Sequence, residues 1–171
     1  MAPEVALLIG LQASGKTTFA RRHLASTHVV VSKDLMGRSA RHKEARLLRE
    51  LAAHLAAGRS VVVDNTQPSV AERAGVLRVA REHGAEVVGY WFPPDLELSR
   101  RRNAARADPV PLIGLHAALA RWETPTSAEG FDRLTPVCPD MPTPGGSAGE
   151  PVHRASTTQR AQFVPPVSGN G

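Results

Sequence analysis

Cysteine is almost absent. Cys138 stands alone in 171 residues, which excludes an internal disulfide framework and points to a reducing compartment. No apolar run approaches the roughly 20 residues that a membrane span needs. Met1-Ala2-Pro3-Glu4 runs straight into an apolar strand, without a basic segment and a leader-type core. A cytoplasmic protein without signal peptide or membrane anchor is therefore expected. The seven histidines are scattered and show no zinc-ligand spacing. Aromatic residues make up 4% of the chain, so few side chains are available to stack on nucleic-acid bases. The length suffices for one domain with its own core.

Charge is present in excess but unevenly placed. The net charge is +5, yet residues 1–107 hold 17 Lys and Arg against 10 Asp and Glu, while residues 108–171 hold 4 against 6. The first part is basic, which suits a polyanionic ligand such as a nucleotide or a nucleic acid. Solvated arginine-rich helix faces would account for scattered arginines, but less well for the run Arg100-Arg101-Arg102.

Residues 10–17 read Gly-Leu-Gln-Ala-Ser-Gly-Lys-Thr. This is G-x-x-x-x-G-K-[ST], the phosphate-binding P-loop, whose glycines let backbone N–H groups converge on phosphate oxygens. The expected nucleotide-contacting set is Gly10, Ser14, Gly15, Lys16, Thr17 and Thr18, with Lys16 between the β- and γ-phosphates and Thr17 on Mg²⁺. The context agrees. Val5 to Ile9 is a continuous apolar run, as a buried parallel strand should be, and Thr17 to Leu24 has helical spacing. A helix starting there adds its positive dipole end to the anion site.

Strands and helices alternate further on. His28–Ser32, Ser60–Asp64 and Glu86–Phe92 read as strands, and residues 131–137 as a fifth, which Pro136 makes either an edge strand or a short one. A helix is expected over 40–57, with Leu47, Leu48, Leu51 and Leu55 on one face and Gly58 as its stop. Ser69-x-x-Glu72 is a capping box opening a helix to about Gly84. Asp95 caps another helix, which carries the arginines into Arg106, and Pro111 starts a helix running through Trp122. From about Pro139 onward, Pro, Gly, Ser and Thr dominate without apolar periodicity, as in a disordered tail. The expected fold is α/β, a three-layer P-loop NTPase or kinase domain over residues 1–138 with a parallel sheet of four to five strands. Residues 139–171 form the tail.

Ligands of such sheets bind beyond the carboxyl ends of the strands. Asp34 follows the second strand and can accept a hydroxyl proton, although a loop or capping aspartate is an even alternative. Asp64 ends the third strand like a Walker B aspartate and can organise Mg²⁺, though strands often end in Asp. Asn65 and Thr66 extend the polar edge. Arg102 and Arg106, four apart, are expected on one helix face, where a closing lid would neutralise charge on the transferring phosphate. Arg100 and Arg101 read as solvent-facing.

Four stretches resemble the 5′-hydroxyl polynucleotide kinase module, including the kinase domain of bifunctional kinase–phosphatases of DNA repair. They are GLQASGKTTF (10–19), KDLMG (33–37), VVDNTQP (62–68) and WETPTSAEGF (122–131), within a match over roughly residues 4–134. The third departs from the family's D-N-T-N-P by Gln67. The last is distinctive, with a family-specific edge of the fold as its one evident rationale. The resemblance implies ATP and Mg²⁺ as cofactors, Asp34 as general base, and Arg38 near the phosphate of the acceptor strand. It also implies Asp64, Asn65 and Thr66 on the substrate or the metal's waters, Arg102 and Arg106 as lid arginines, and a nucleic-acid 5′ end as acceptor. A small-molecule kinase and a nucleotide-binding regulatory module are the alternatives. A remodelling ATPase of the AAA+ type is disfavoured, because the chain is short and no Asp-Glu pair ends the third strand.

Overall fold

The computed structural model of the chain describes residues 1–37 and 39–138. Arg38 and the expected tail, residues 139–171, lie outside the described residues. Five parallel strands lie in the order β2-β3-β1-β4-β5: β1 Glu4–Ile9, β2 Val29–Val31, β3 Val61–Asp64, β4 Glu86–Trp91 and β5 Arg133–Pro136. The α-helices are α1 Lys16–His23, α2 Lys43–Ala56, α3 Val70–Glu82, α4 Leu96–Ala104 and α5 Leu112–Ala120. Short 3₁₀ turns occupy Lys33–Leu35 and Ser127–Glu129. The expected α/β fold with a parallel sheet is present, with five strands. Among the described residues no helix is long and apolar enough to cross a membrane.

The central strands are apolar on both faces because helices cover both. Along β1, Val5, Leu7 and Ile9 enter a core with Leu47, Leu51 and Leu55 of α2 and Val76, Leu77 and Ala80 of α3. Ala6 and Leu8 face the other way, onto Ala20 and Leu24. Strand β3 divides likewise, Val61 and Val63 to one side and Val62 to the other. Burying each such Val or Leu contributes about 1.5–3 kcal/mol. Pro136 sits on the edge strand β5. Val137 N–H bonds Trp91 O at 2.8 Å, so the Pro136 nitrogen faces away from β4, where no donor is needed.

Several boundaries differ from expectation, each for a local reason. Helix α2 begins at Lys43 rather than 40, because His42 is left-handed (φ 53°) and Ala40 N–H closes a turn on Gly37 O. Helix α4 ends at Ala104, so Arg106 lies beyond it. The Arg106 N–H bonds Asn103 O at 3.1 Å, three residues back, instead of continuing the α-helical pattern. Arg102 and Arg106 therefore do not share one helix face. Helix α5 stops at Ala120, short of Trp122, because Glu123 N–H is drawn to Pro68 O at 2.8 Å. Pro111 is its N-cap rather than its first residue. Strand β5 is shorter than 131–137: Phe131 is buried, and Asp132 accepts Val87 N–H through its carboxylate at 2.7 Å.

Candidate active site

The loop between β1 and α1 is a phosphate cradle in its geometry. Gly15, the N-cap of α1, has φ 104°, a left-handed conformation that costs glycine nothing. No side chain caps α1 and no acidic residue lies in its first turn, so its first N–H donors are left for an anion. Gly10 lies where a Cβ would meet Ser14 Oγ at 2.7 Å and Phe92 Cβ at 3.0 Å. Gly10 N–H bonds Thr66 O at 2.9 Å, which ties the loop to the end of β3.

Lys16 is buried, and its Nζ donates to Gly10 O (2.9 Å), Leu11 O (2.6 Å) and Ser14 Oγ (3.4 Å). All three acceptors are neutral. Burial pushes the ammonium pKa down to about 8; the nearby Asp64 and Asp34 carboxylates pull it back up, and Arg106 lowers it. One lysine therefore feels both candidate carboxylates and one candidate lid arginine, and the fold has brought all four to the C-terminal edge of the sheet.

Thr17 Oγ1 donates to Asp64 Oδ2 at 2.7 Å. Two oxygen groups side by side at a helix N-terminus form the donor set a hard cation such as Mg²⁺ takes, so the residues fit the metal the motif implies. Thr18, next along α1, is exposed.

Asp34 is exposed and is placed by a small scaffold that the sequence did not reveal. Ser32 Oγ donates to Asp64 O at 2.7 Å and accepts Asp34 N–H at 3.2 Å, capping the 3₁₀ turn. Asn65 Oδ1 accepts Lys33 N–H at 3.0 Å, and its buried Nδ2 has no partner among the described residues. Half of the Asn65 amide therefore holds β2 to β3. Thr66 contributes its carbonyl to the loop, with its side chain half-buried. An Asp after Ser-x is a common turn; the pairing of β2 with β3 and the bond from Ser32 to Asp64 O bring this one to the end of β3.

On the opposite flank, Arg102 of α4 donates from Nη1 to Ser14 O at 3.2 Å. Arg106 is exposed in the loop that follows. Arg100 and Arg101 are also exposed, as expected.

The WETPTSAEGF stretch has a structural rationale. Glu123 caps α3 by accepting Val70 N–H at 2.7 Å. Thr126 and Glu129 form a reciprocal capping box. Glu129 also accepts Arg73 Nε and Nη2 at 2.7 and 2.9 Å, a bidentate pair almost out of solvent. Arg73 Nη1 reaches Gln67 O at 3.0 Å. The segment is a strap binding α3 and the β3 edge to the rest of the sheet. The pairing of Arg73, in a helix, with a glutamate 56 residues later leaves no local sequence signal.

A parallel five-stranded sheet with a P-loop, a Thr–Asp pair beside it and an arginine-bearing flank defines a P-loop nucleotide-binding domain of the kinase type. A family model described as an AAA domain matches residues 5–125, and the chain belongs to that family. Asp64 is followed by Asn65 here, so no Asp-Glu pair ends β3. The chain is 25% identical over 140 residues to the bifunctional polynucleotide phosphatase/kinase of Schizosaccharomyces pombe (strain 972 / ATCC 24843), covering 78% of this chain and 33% of that protein. It thus spans about a third of the length of that relative. A fungal RNA kinase has a similar fold (TM-score 0.63, 16% identity, 81% of this chain and 38% of that one). So does a gluconokinase from Sinorhizobium meliloti 1021 (TM-score 0.61, 17% identity, 82% and 85%).

Proposed function

We propose that this domain transfers the γ-phosphoryl group of ATP to a hydroxyl, and that the acceptor is the 5′-hydroxyl of a DNA or RNA end. The observation that carries the reading is the P-loop with Asp64 bonded to Thr17, Arg102 bonded to Ser14 O, and the turn that bears Asp34 tied through Ser32 to the Asp64 carbonyl. A module that only binds nucleotide has no use for a second carboxylate there. The sequence likeness to a polynucleotide phosphatase/kinase and the basic balance of residues 1–107 support a polynucleotide acceptor.

In this reading the α1 N-terminus and Lys16 bind the phosphates, with Gly10, Ser14, Gly15, Thr17 and Thr18 around them. Thr17 and Asp64 are the groups that would hold Mg²⁺, which would supply positive charge against the nucleotide phosphates. Asp34 orients the acceptor hydroxyl and takes its proton as the new P–O bond forms. The bond to the β–γ bridging oxygen breaks, and ADP leaves. Arg102 and Arg106 stabilise the charge on the transferring group. Arg38, Asn65 and Thr66 position the acceptor.

The test is incubation with γ-labelled ATP, Mg²⁺ and a panel of 5′-hydroxyl DNA and RNA oligonucleotides, sugars and antibiotics. Label on the oligonucleotide 5′ ends is expected. Label on a sugar or antibiotic alone would make the protein a small-molecule kinase. Tight ATP binding without labelling of any hydroxyl would make it a regulatory nucleotide-binding module.

A further inference from the structure

We propose that Asn103 is a positioning residue: its amide clasps the backbone of Val110 and so holds the loop 105–109, which carries Arg106, at the phosphate site. The role of Arg106 rests on the preceding reading, whereas the clasp itself is seen in the geometry. Asn103 Nδ2 donates to Val110 O at 2.8 Å, and Asn103 Oδ1 accepts Val110 N–H at 2.9 Å. Asn103 is 3% exposed, although it is the penultimate residue of α4 and Ala104 after it is exposed. All five residues from 105 to 109 are exposed, so burial does little to order the loop. Fixing such a segment costs backbone entropy at every residue, and a clasp at the neck limits what it can sample.

Both sides of the neck are docked on the P-loop. On the α4 side, Arg102 bonds Ser14 O, and Leu96 packs on the cluster of Leu11, Leu115 and Ala118. On the α5 side, Gly114 O accepts Gln12 Nε2 at 3.4 Å, and Leu115 lies against Leu11. A short loop is strung between these two anchors, and Arg106 within it disfavours the charge on Lys16. The residue type follows from the chemistry. An amide both accepts an N–H and donates to a C=O, whereas a carboxylate would face the Val110 carbonyl oxygen with repulsion, and alanine would leave both backbone groups unpaired.

The test is a double-mutant cycle on the full chain. Asn103→Ala is expected to lower kcat about 10- to 100-fold, the cost of a modest misplacement of a catalytic group, while KM for ATP stays within about threefold. In the Arg106→Ala background the same change is expected to cost less than about twofold, because the group it positions is gone. An equal loss in both backgrounds, or a rise in KM with kcat unchanged, would overturn the proposal. Asn103→Asp keeps the Val110 N–H acceptor and should fall between wild type and Asn103→Ala. It also carries the cycle if the alanine variant does not fold. A second readout needs no acceptor. ATP with Mg²⁺ should slow amide hydrogen exchange over residues 104–110 in the wild type and not in Asn103→Ala. Equal slowing in both, or none in the wild type, overturns the clasp. If that difference holds while no hydroxyl is phosphorylated, the clasp stands and the kinase reading fails.

Discussion

Two buried cations lie on opposite sides of β3, and they are treated in opposite ways. Arg73 is fully buried and meets a carboxylate in a bidentate pair, with its remaining nitrogen on a backbone carbonyl. Lys16 is also buried, but its hydrogen-bond acceptors are two carbonyls and a hydroxyl, and the carboxylate beside it, Asp64, bonds Thr17 instead. The first arrangement satisfies a charge within the fold and anchors a strap. The second hydrogen-bonds a buried charge to neutral groups alone, and the nearby Asp64 and Asp34 carboxylates offset only part of the cost of its burial, which is unfavourable until an anion arrives. The lesson is that burial of a cation does not distinguish a structural from a functional site. The identity of its partner does.

The largest effect expected from dividing the two clusters is on chemistry. Asp34→Ala should cut turnover about 10²–10⁴-fold with ATP affinity nearly unchanged, and its melting temperature should stay close to wild type because Asp34 is exposed. Steady-state kinetics with ATP titration reads both, and a collapse of ATP affinity would move Asp34 to the nucleotide side. Next is Arg73→Ala, which strands the Glu129 carboxylate and should destabilise by about 3–5 kcal/mol in urea unfolding. A value under about 1 kcal/mol would remove the strap's role.

Lys16 should give the opposite sign. Its pKa falls from 10.5 to about 8 in the folded chain, which corresponds to about 3 kcal/mol of charge burial. Below about pH 8 both folded and unfolded states hold the proton, and the full cost is present. Between about 8 and 10.5 the unfolded state binds more protons, so stability rises with pH. Lys16→Met should therefore stabilise the nucleotide-free protein at pH 7 by up to about 3 kcal/mol, less what Gly10 O and Leu11 O lose with their donor. That advantage should vanish above about pH 10.5. The same variant should lose nucleotide binding, and wild-type affinity for ATP should fall as pH rises past about 8. Urea midpoints and binding titrations at pH 7 and 10.5 decide it.

The smallest effects lie on α4. Arg102→Ala loses the bond to Ser14 O and should lower kcat about tenfold, the scale of one charge-assisted hydrogen bond. Arg101→Ala, exposed one residue away, should change stability by less than about 0.5 kcal/mol and leave the rate unaltered. Greater damage in Arg101→Ala than in Arg102→Ala would place the wrong arginine on the P-loop.

Much of this was legible in the residues alone. An apolar run, a P-loop and a helix pattern in succession imply strand, cradle and helix because each has a local physical cause: burial on both faces, glycine at positive φ, and 3.6-residue spacing. The β-branched runs at Val29–Val31 and Val61–Val63 marked parallel strands for the same reason. The helix ends were not legible where a distant group decides them. Nothing near Ala104 announces that Asn103 will reach Val110, and nothing near Trp122 announces that Glu123 will bond Pro68.

The sequence by itself determined the fold class, the phosphate cradle and the residue types at the sheet edge, since all of these depend on short-range patterning. The tertiary structure decided which of those residues meet. Strand order set the turn that bears Asp34 against the end of β3, and Ser32 and Asn65 fixed that placement through hydrogen bonds between the two strand ends. The strap gave Glu129 to Arg73, and the neck of the loop after α4 took Arg106 off the helix that carries Arg102. Each of these choices is a contact between groups far apart along the chain, where only the closed, close-packed fold puts one partner within bonding distance of the other.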